Sequence, residues 1–257
     1  FRRVLFRSPA RHGSKRVPGK NVRLLGGHPA LAYTIAAARA SGVFDAVIVS
    51  TDAEEVAAVA RRYGAEVPFL RPAEFASDTS PDIEWLNYTI RELGRQGRQW
   101  DAFALLRPTS PFRSAQTIQR AWALFTSQAS TDPSVDSLRA IEKCTQHPGK
   151  MWVVKGNRMT PLLDGPKDQP WHSTPYQALP PVYVQNASLE IAWTRVVLDK
   201  QTIAGDVLVP FITEGYEGFD INDPMDWMIA EKLLADGVVT LPEIKAQSPD
   251  ARTQSPA

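Results

Sequence analysis

The chain has 257 residues and a formal net charge of +1, enough for one large α/β domain with a small insertion and too evenly charged to suggest nucleic acid or a membrane surface as a bulk partner. Cys144 is the only cysteine, which excludes an internal disulfide and fits a reducing compartment. No apolar run is long enough to span a bilayer.

Phe1–Ser8 lies where the first buried parallel strand of such a fold belongs, yet Arg2, Arg3 and Arg7 crowd it. Buried parallel strands read as near-continuous apolar runs, because helices cover both faces. The run Arg3-Val4-Leu5-Phe6-Arg7-Ser8 reads like a translated sequencing adapter, so residues 1–8 are expected to be a non-native scar. A genomic read through the junction checks this.

Pro9-Ala10-Arg11-His12-Gly13-Ser14-Lys15-Arg16-Val17-Pro18-Gly19-Lys20-Asn21 follows. Glycines let backbone N–H groups approach an anion, and closely spaced cations supply the charge a polyphosphate needs. Composition alone leaves a solvated basic turn equally open. The spacing is neither a Walker A loop nor a G-x-G-x-x-G fingerprint.

Apolar spacing predicts a helix over 29–41, ended by Gly42. Ala46-Val47-Ile48-Val49 reads as a buried strand, with Ser50-Thr51-Asp52 at its C-terminal end, where open α/β sheets bind ligands. Asp52 is expected to cap a helix over 53–63, and Ala65-Glu66-Val67 to form a short strand. A helix starting near Asp82 carries Ile83, Leu86, Ile90 and Leu93. Ala102-Phe103-Ala104-Leu105-Leu106 is the clearest buried strand, and it ends in a proline-rich turn. Ser114 is expected to cap a helix through Phe125. Alternating strands and helices imply a mostly parallel sheet in a Rossmann-like three-layer sandwich.

Residues 127–181 break the rhythm and read as an insertion or arm, with Trp152, Trp171 and Tyr176 suggesting a partner surface. Val182–Val184 and Leu189–Trp193 read as two strands separated by Gln185-Asn186-Ala187-Ser188. Another strand begins near Val207, and a helix runs over 224–234. One domain over 9–244 is expected, followed by a disordered tail over 245–257.

Four groups of residues carry a resemblance. The segment 9–21 closely resembles the signature of the acylneuraminate cytidylyltransferase family. Val49-Ser50-Thr51-Asp52, Leu70-Arg71-Pro72 with Arg107-Pro108-Thr109-Ser110-Pro111-Phe112-Arg113, and Phe219-Asp220-Ile221-Asn222-Asp223-Pro224 resemble its later motifs in order. The resemblance implies a nucleotide-diphospho-sugar transferase fold with a dimerisation arm. It also implies a cytoplasmic homodimer that joins CTP to an acidic nine-carbon sugar with Mg²⁺ as cofactor. Arg11, Lys20 and Asp220 are its implied catalytic residues. Arg11, Gly13, Ser14, Lys15, Lys20, Asn21, Arg71 and Ser80 would hold the nucleotide. Arg107, Thr109, Ser110, Lys143, Gln185 and Asn186 would meet the acceptor, and Asp220 with Asn222 the metal.

Three departures fall on the acceptor or metal side. Asn222 stands where the family usually has Asp, removing a charge from the metal site. Arg107 stands where it usually has Gln, and a guanidinium adds a bidentate anion contact. Gln185–Ser188 departs from an Asn-Gly pattern. Two alternatives stay open: the same fold using another nucleotide such as GTP with a sugar phosphate, which Arg107 favours, and a non-catalytic nucleotide-binding scaffold, which Asn222 favours.

Overall fold

A computed structural model describes residues 3–7 (backbone), 17–77 and 80–244. The described residues divide into two compact units, those up to Ala140 together with residues 186–244, and residues 141–185.

In the first unit, β1 (Arg3–Arg7) is followed by the small antiparallel pair β2 (Leu24–Leu25) and β3 (His28–Pro29) and by helix α1 (Ala30–Ser41). Gly42 ends α1 at φ +63°, a left-handed conformation that glycine adopts without strain. Then come β4 (Ala46–Val49), α2 (Glu54–Arg62), α3 (Asp82–Arg95), β5 (Ala102–Leu105), α4 (Ala115–Thr131) and β6 (Ser137–Lys143). Beyond a hairpin, β7 (Trp152–Lys155) and β8 (Arg158–Pro161), follow β9 (Tyr183–Trp193), α5 (Thr194–Lys200), β10 (Leu208–Ile212) and α6 (Pro224–Ala235). Six strands form one sheet in the order β10-β6-β9-β5-β1-β4.

Strand alternation builds the layers. Val47 and Val49 face a core with Leu31, Ile35, Val56, Ile118 and Phe125 from α1, α2 and α4. Ala46 and Ile48 face the opposite core with Trp85, Leu86 and Leu93 of α3 and Val197 of α5. A third cluster joins Val17, Leu25, Tyr33, Phe112, Ile221 and Trp227, fastening α6 beside α1.

Several expectations are corrected. The sheet is mixed: β1 runs parallel to β4 and β5, but β9 pairs antiparallel with β5. Asp52 does not cap α2. Ala53 is the cap residue, with no side-chain bond, and Thr51 Oγ1 accepts from its backbone N–H. Residues 65–67 make only a parallel bridge, Ile48 to Glu66. Helix α4 continues six residues past Phe125, and β6 begins inside the stretch expected to be an arm. Residues 183–193 form one strand, not two, because the polar side chains within it find partners: Asn186 Nδ2 donates to Thr213 Oγ1 at 2.9 Å and its Oδ1 accepts from Ser188 N. The expected tail lies outside the described residues.

The second unit holds the β7–β8 hairpin, turned by Gly156 at φ +61°. His147 is buried at its base: Nδ1 accepts from Gly149 N at 3.0 Å, and Nε2 donates to Pro180 O at 2.9 Å. The Trp171 and Tyr176 rings meet it edge-on. Lys150 Nζ donates to the carbonyls of His172 and Thr174. His147 and Lys150 therefore hold this unit's irregular chain together. Trp152, Val154, Met159, Leu162 and Leu163 are exposed.

Candidate active site

The site is built where the parallel strands end. After β4 the chain turns at Ser50, and Arg71 folds back onto it. Its backbone N–H donates to Thr51 O at 2.7 Å, its Nε to Ser50 Oγ at 3.1 Å and its Nη2 to Ser50 O at 2.9 Å. The guanidinium lies 4.6 Å from the Trp85 ring centre, so a buried cation rests on an aromatic face. Pro72 keeps Arg71 extended, the conformation this docking needs.

After β5, the prolines at 108 and 111 turn the chain away from the sheet. Thr109 O accepts from Ile221 N at 2.8 Å, and Lys20 Nζ donates to Ile221 O at 3.4 Å. The backbone of one residue, Ile221, thus ties three sequence-predicted segments together. Lys20, Asn21, Pro108, Thr109 and Ile221 come together beside Trp227. Asn21 is buried, and its carbonyl accepts from Leu31 N. Ser110 is buried, with no hydrogen bond from its hydroxyl among the described residues.

Asp220 stands beside this clamp. Its Oδ2 accepts from Asn222 Nδ2 at 2.8 Å, while its buried Oδ1 has no hydrogen-bond partner among the described residues. Asp223 and Asp226 are engaged elsewhere. Asp223 Oδ1 accepts from the N–H groups of Met225 and Asp226, and Asp226 Oδ2 from those of Asn222 and Asp223. This capping box starts α6. Each carboxylate thus spends one oxygen on the start of α6.

Arg113 is fully buried beneath the same loop. It donates to Ser188 O, to Thr34 Oγ1 at 3.0 Å and to Arg107 O at 3.2 Å. Burial pushes its guanidinium down to about 9, opposed by the negative charge of Asp220.

Arg107 is not a loose cation. Its Nη2 donates to Asp82 Oδ2 at 2.6 Å and lies 3.4 Å from Glu190 Oε1. Glu190 Oε2 in turn accepts from Arg139. Burial works against charge on both Asp82 and Arg107, but their mutual attraction and hydrogen bonds prevail. They hold the carboxyl below the usual carboxylate range and the guanidinium above its ordinary value. The expected extra anion contact is thus compensated inside the protein, which removes the feature that favoured a phosphorylated acceptor.

The remaining predicted residues are scattered. Arg11, Gly13, Ser14 and Lys15 lie outside the described residues. Ser80 bonds locally, to Ser77 Oγ at 2.7 Å and Glu74 O at 3.2 Å. Asn186 supports β9. Lys143 and Gln185 are exposed and belong to the second unit. Sequence reasoning missed Asp82, Arg113, Arg139 and Glu190 as parts of the site. A signal existed for one of them: Glu190 is a charge inside the otherwise apolar run Leu189–Trp193, which stays buried only when paired.

Comparisons with known proteins agree with this geometry. The Cytidylyltransferase family pattern matches residues 9–147. The CMP-N,N'-diacetyllegionaminic acid synthase of Legionella pneumophila is 36% identical over 239 residues, covering 90% of this chain and 96% of that protein. The N-acylneuraminate cytidylyltransferase A of Danio rerio is 41% identical over 228 residues, 87% of this chain and 49% of that protein. Among solved structures, a CMP:2-keto-3-deoxy-manno-octonic acid synthetase complexed with CTP superposes with a TM-score of 0.63 at 14% identity, covering 92% of this chain and all of that one. The matched segments include the strand ends, the clamped Ile221 peptide and the buried Arg71, and on these grounds the chain belongs to the cytidylyltransferase family.

Proposed function

We propose that this chain transfers the cytidylyl group of CTP to a nonulosonic acid of the sialic, legionaminic or pseudaminic type. The acceptor's hydroxyl oxygen attacks the α-phosphorus, the bond to the bridging oxygen breaks, pyrophosphate leaves and the hydroxyl proton passes to solvent. Such in-line displacement depends on positioning and charge neutralisation more than on covalent chemistry by the protein. The observation that carries the reading is the convergence of Lys20, Asn21, Thr109 and Ile221 beside Asp220. The choice of acceptor is supported by the 36% identical synthase from Legionella. In this reading Arg71, anchored on Ser50, faces the base and ribose, Lys20 neutralises the triphosphate, and Arg11, Gly13, Ser14 and Lys15 complete the cradle.

The cofactor in this reading is Mg²⁺. One carboxylate oxygen of Asp220 is buried and unbonded among the described residues, and Asn222, whose amide nitrogen donates to the other oxygen, would offer its amide oxygen after a turn of the side-chain amide. This small oxygen set suits a hard cation that keeps waters and takes its other ligands from phosphates. When bound, the ion would neutralise phosphate charge and favour deprotonation of the acceptor hydroxyl. The exposed β7–β8 hairpin supports a homodimer, with a second copy covering Trp152 and Val154. We assign the reaction to the cytoplasm, where CTP is made. Among the described residues no helix is long and apolar enough to cross a membrane.

The test is pyrophosphate release with Mg²⁺ and each of CTP, GTP, UTP and ATP, against nonulosonic acid and hexosamine-1-phosphate panels. Turnover with CTP and a nonulosonic acid is expected. Turnover only with GTP and a sugar phosphate would replace the substrate assignment.

A further inference from the structure

A line of alternating charge crosses the first unit from the segment after β4 to β6. The Arg71 guanidinium rests on the Trp85 ring. Trp85 Nε1 donates to Asp82 Oδ1 at 2.9 Å, and Arg107 Nη2 donates to Asp82 Oδ2 at 2.6 Å. Arg107 also approaches Glu190, whose other oxygen holds Arg139. Each carboxylate spends its two oxygens on two different neighbours. Asp82 and Glu190 side chains are 19% and 5% exposed, so their fields are weakly screened.

Asp82 is the only member of this line that reaches both sides of the proposed site. Through Trp85 it sets the surface on which Arg71 lies, and directly it sets where Arg107 stands. Arg107 Nη2 meets both Asp82 Oδ2 and Glu190 Oε1, and removing the Asp82 charge loses the shorter of these two contacts. We propose that Asp82 is a positioning residue that couples the nucleotide subsite at Arg71 to the acceptor subsite at Arg107, so that the two substrates' affinities are linked through one carboxylate. This rests on the assignment of CTP and an acidic acceptor to those two sides. Such coupling is reciprocal: whatever orders one end favours the other.

The experiment compares wild type, Asp82→Asn, Arg107→Gln and the double variant. CTP affinity is read by calorimetry without acceptor, and acceptor KM and kcat by pyrophosphate release. Asp82→Asn is expected to weaken CTP binding and raise acceptor KM, each by about fivefold or more, with a smaller change in kcat. Arg107→Gln is expected to raise acceptor KM while leaving CTP affinity within about twofold. The double variant should match Asp82→Asn at the acceptor, because a misplaced Arg107 has little left to lose. A CTP affinity unchanged in Asp82→Asn, or acceptor effects that multiply, overturns the coupling. Asp82→Glu should recover part of both affinities, which a purely structural role does not predict. If Asp82→Asn fails to fold, Trp85→Phe replaces it: the ring under Arg71 stays, the donor to Asp82 goes, and both affinities should still fall. If wild type turns over no nonulosonic acid, the proposed acceptor is wrong, and the CTP affinity of Asp82→Asn alone judges the link to Arg71.

Discussion

Replacing Asn222 by Asp probes the proposed metal corner by changing one atom's chemistry. The Asn222 amide donates to Asp220 Oδ2 at 2.8 Å. A carboxylate in its place turns an attraction into a repulsion. Asn222 is exposed, so the dielectric is close to that of water, and two unit charges at that spacing repel by about 1.5 kcal/mol. Loss of the hydrogen bond adds about 1 kcal/mol. The sum, about 2.5 kcal/mol, lowers Tm by about 5–10 °C in a protein of this size. A divalent cation reverses the sign, because two adjacent carboxylates bind it better than a carboxylate and an amide. Thermal unfolding in EDTA and in millimolar Mg²⁺ therefore separates the two effects. Asn222→Asp should melt below wild type in EDTA and regain most of the loss in Mg²⁺, with a larger Mg²⁺ response than wild type. Equal melting in EDTA would refute the local electrostatic argument. Equal Mg²⁺ responses would refute the placement of the metal at Asp220. The rate of pyrophosphate release adds a functional reading: a large gain in Asn222→Asp says the native metal site is impaired, and no gain says Asn222 is adapted to its task.

Arg113→Met removes donors from three acceptors, Ser188 O, Thr34 Oγ1 and Arg107 O. Relief of the guanidinium's burial penalty offsets part of the loss, leaving a net destabilisation of about 3 kcal/mol. Urea unfolding should show a lower midpoint at unchanged slope, and an unchanged midpoint would contradict the role given to these bonds. The acid limb of stability is assigned in part to Asp136. Its side chain is fully buried and accepts from Lys200 Nζ at 2.6 Å, Arg195 Nη1 at 3.0 Å and the Asp206 backbone at 2.7 Å. Burial opposes its charge, but these partners outweigh burial and hold the carboxyl below the usual range. The unfolded chain then binds the proton more readily, so this stabilisation is complete above the ordinary carboxylate value, about pH 4, and is lost as pH falls through the lower folded value. Asp136→Asn should flatten the acid limb in pH-dependent unfolding and cost about 2–3 kcal/mol at neutral pH. A limb as steep as that of wild type would assign it to other carboxylates.

What the sequence determined by itself is what short-range chemistry controls. The β-branched run at 46–49 forms a buried strand because both faces are covered. Ser114 caps α4, and Asp223-Pro224 opens α6, because their side chains and ring act on amides within three residues. The motif residues could be read as a set, and Lys20, Asn21, Thr109 and the Ile221 peptide next to Asp220 do meet. Tertiary structure decided everything that depended on distant partners. Arg107 looks in sequence like a cation available to a substrate, but its carboxylates stand 25 and 83 residues away. Arg113 finds Ser188 across 75 residues. The direction of β9 against β5 follows from a connection that leaves the sheet and returns, which no local preference encodes. A side chain's charge is written in the sequence, but whether that charge is compensated depends on which oxygens folding brings within 3 Å, and at this site that difference separates a free cation from one already paired.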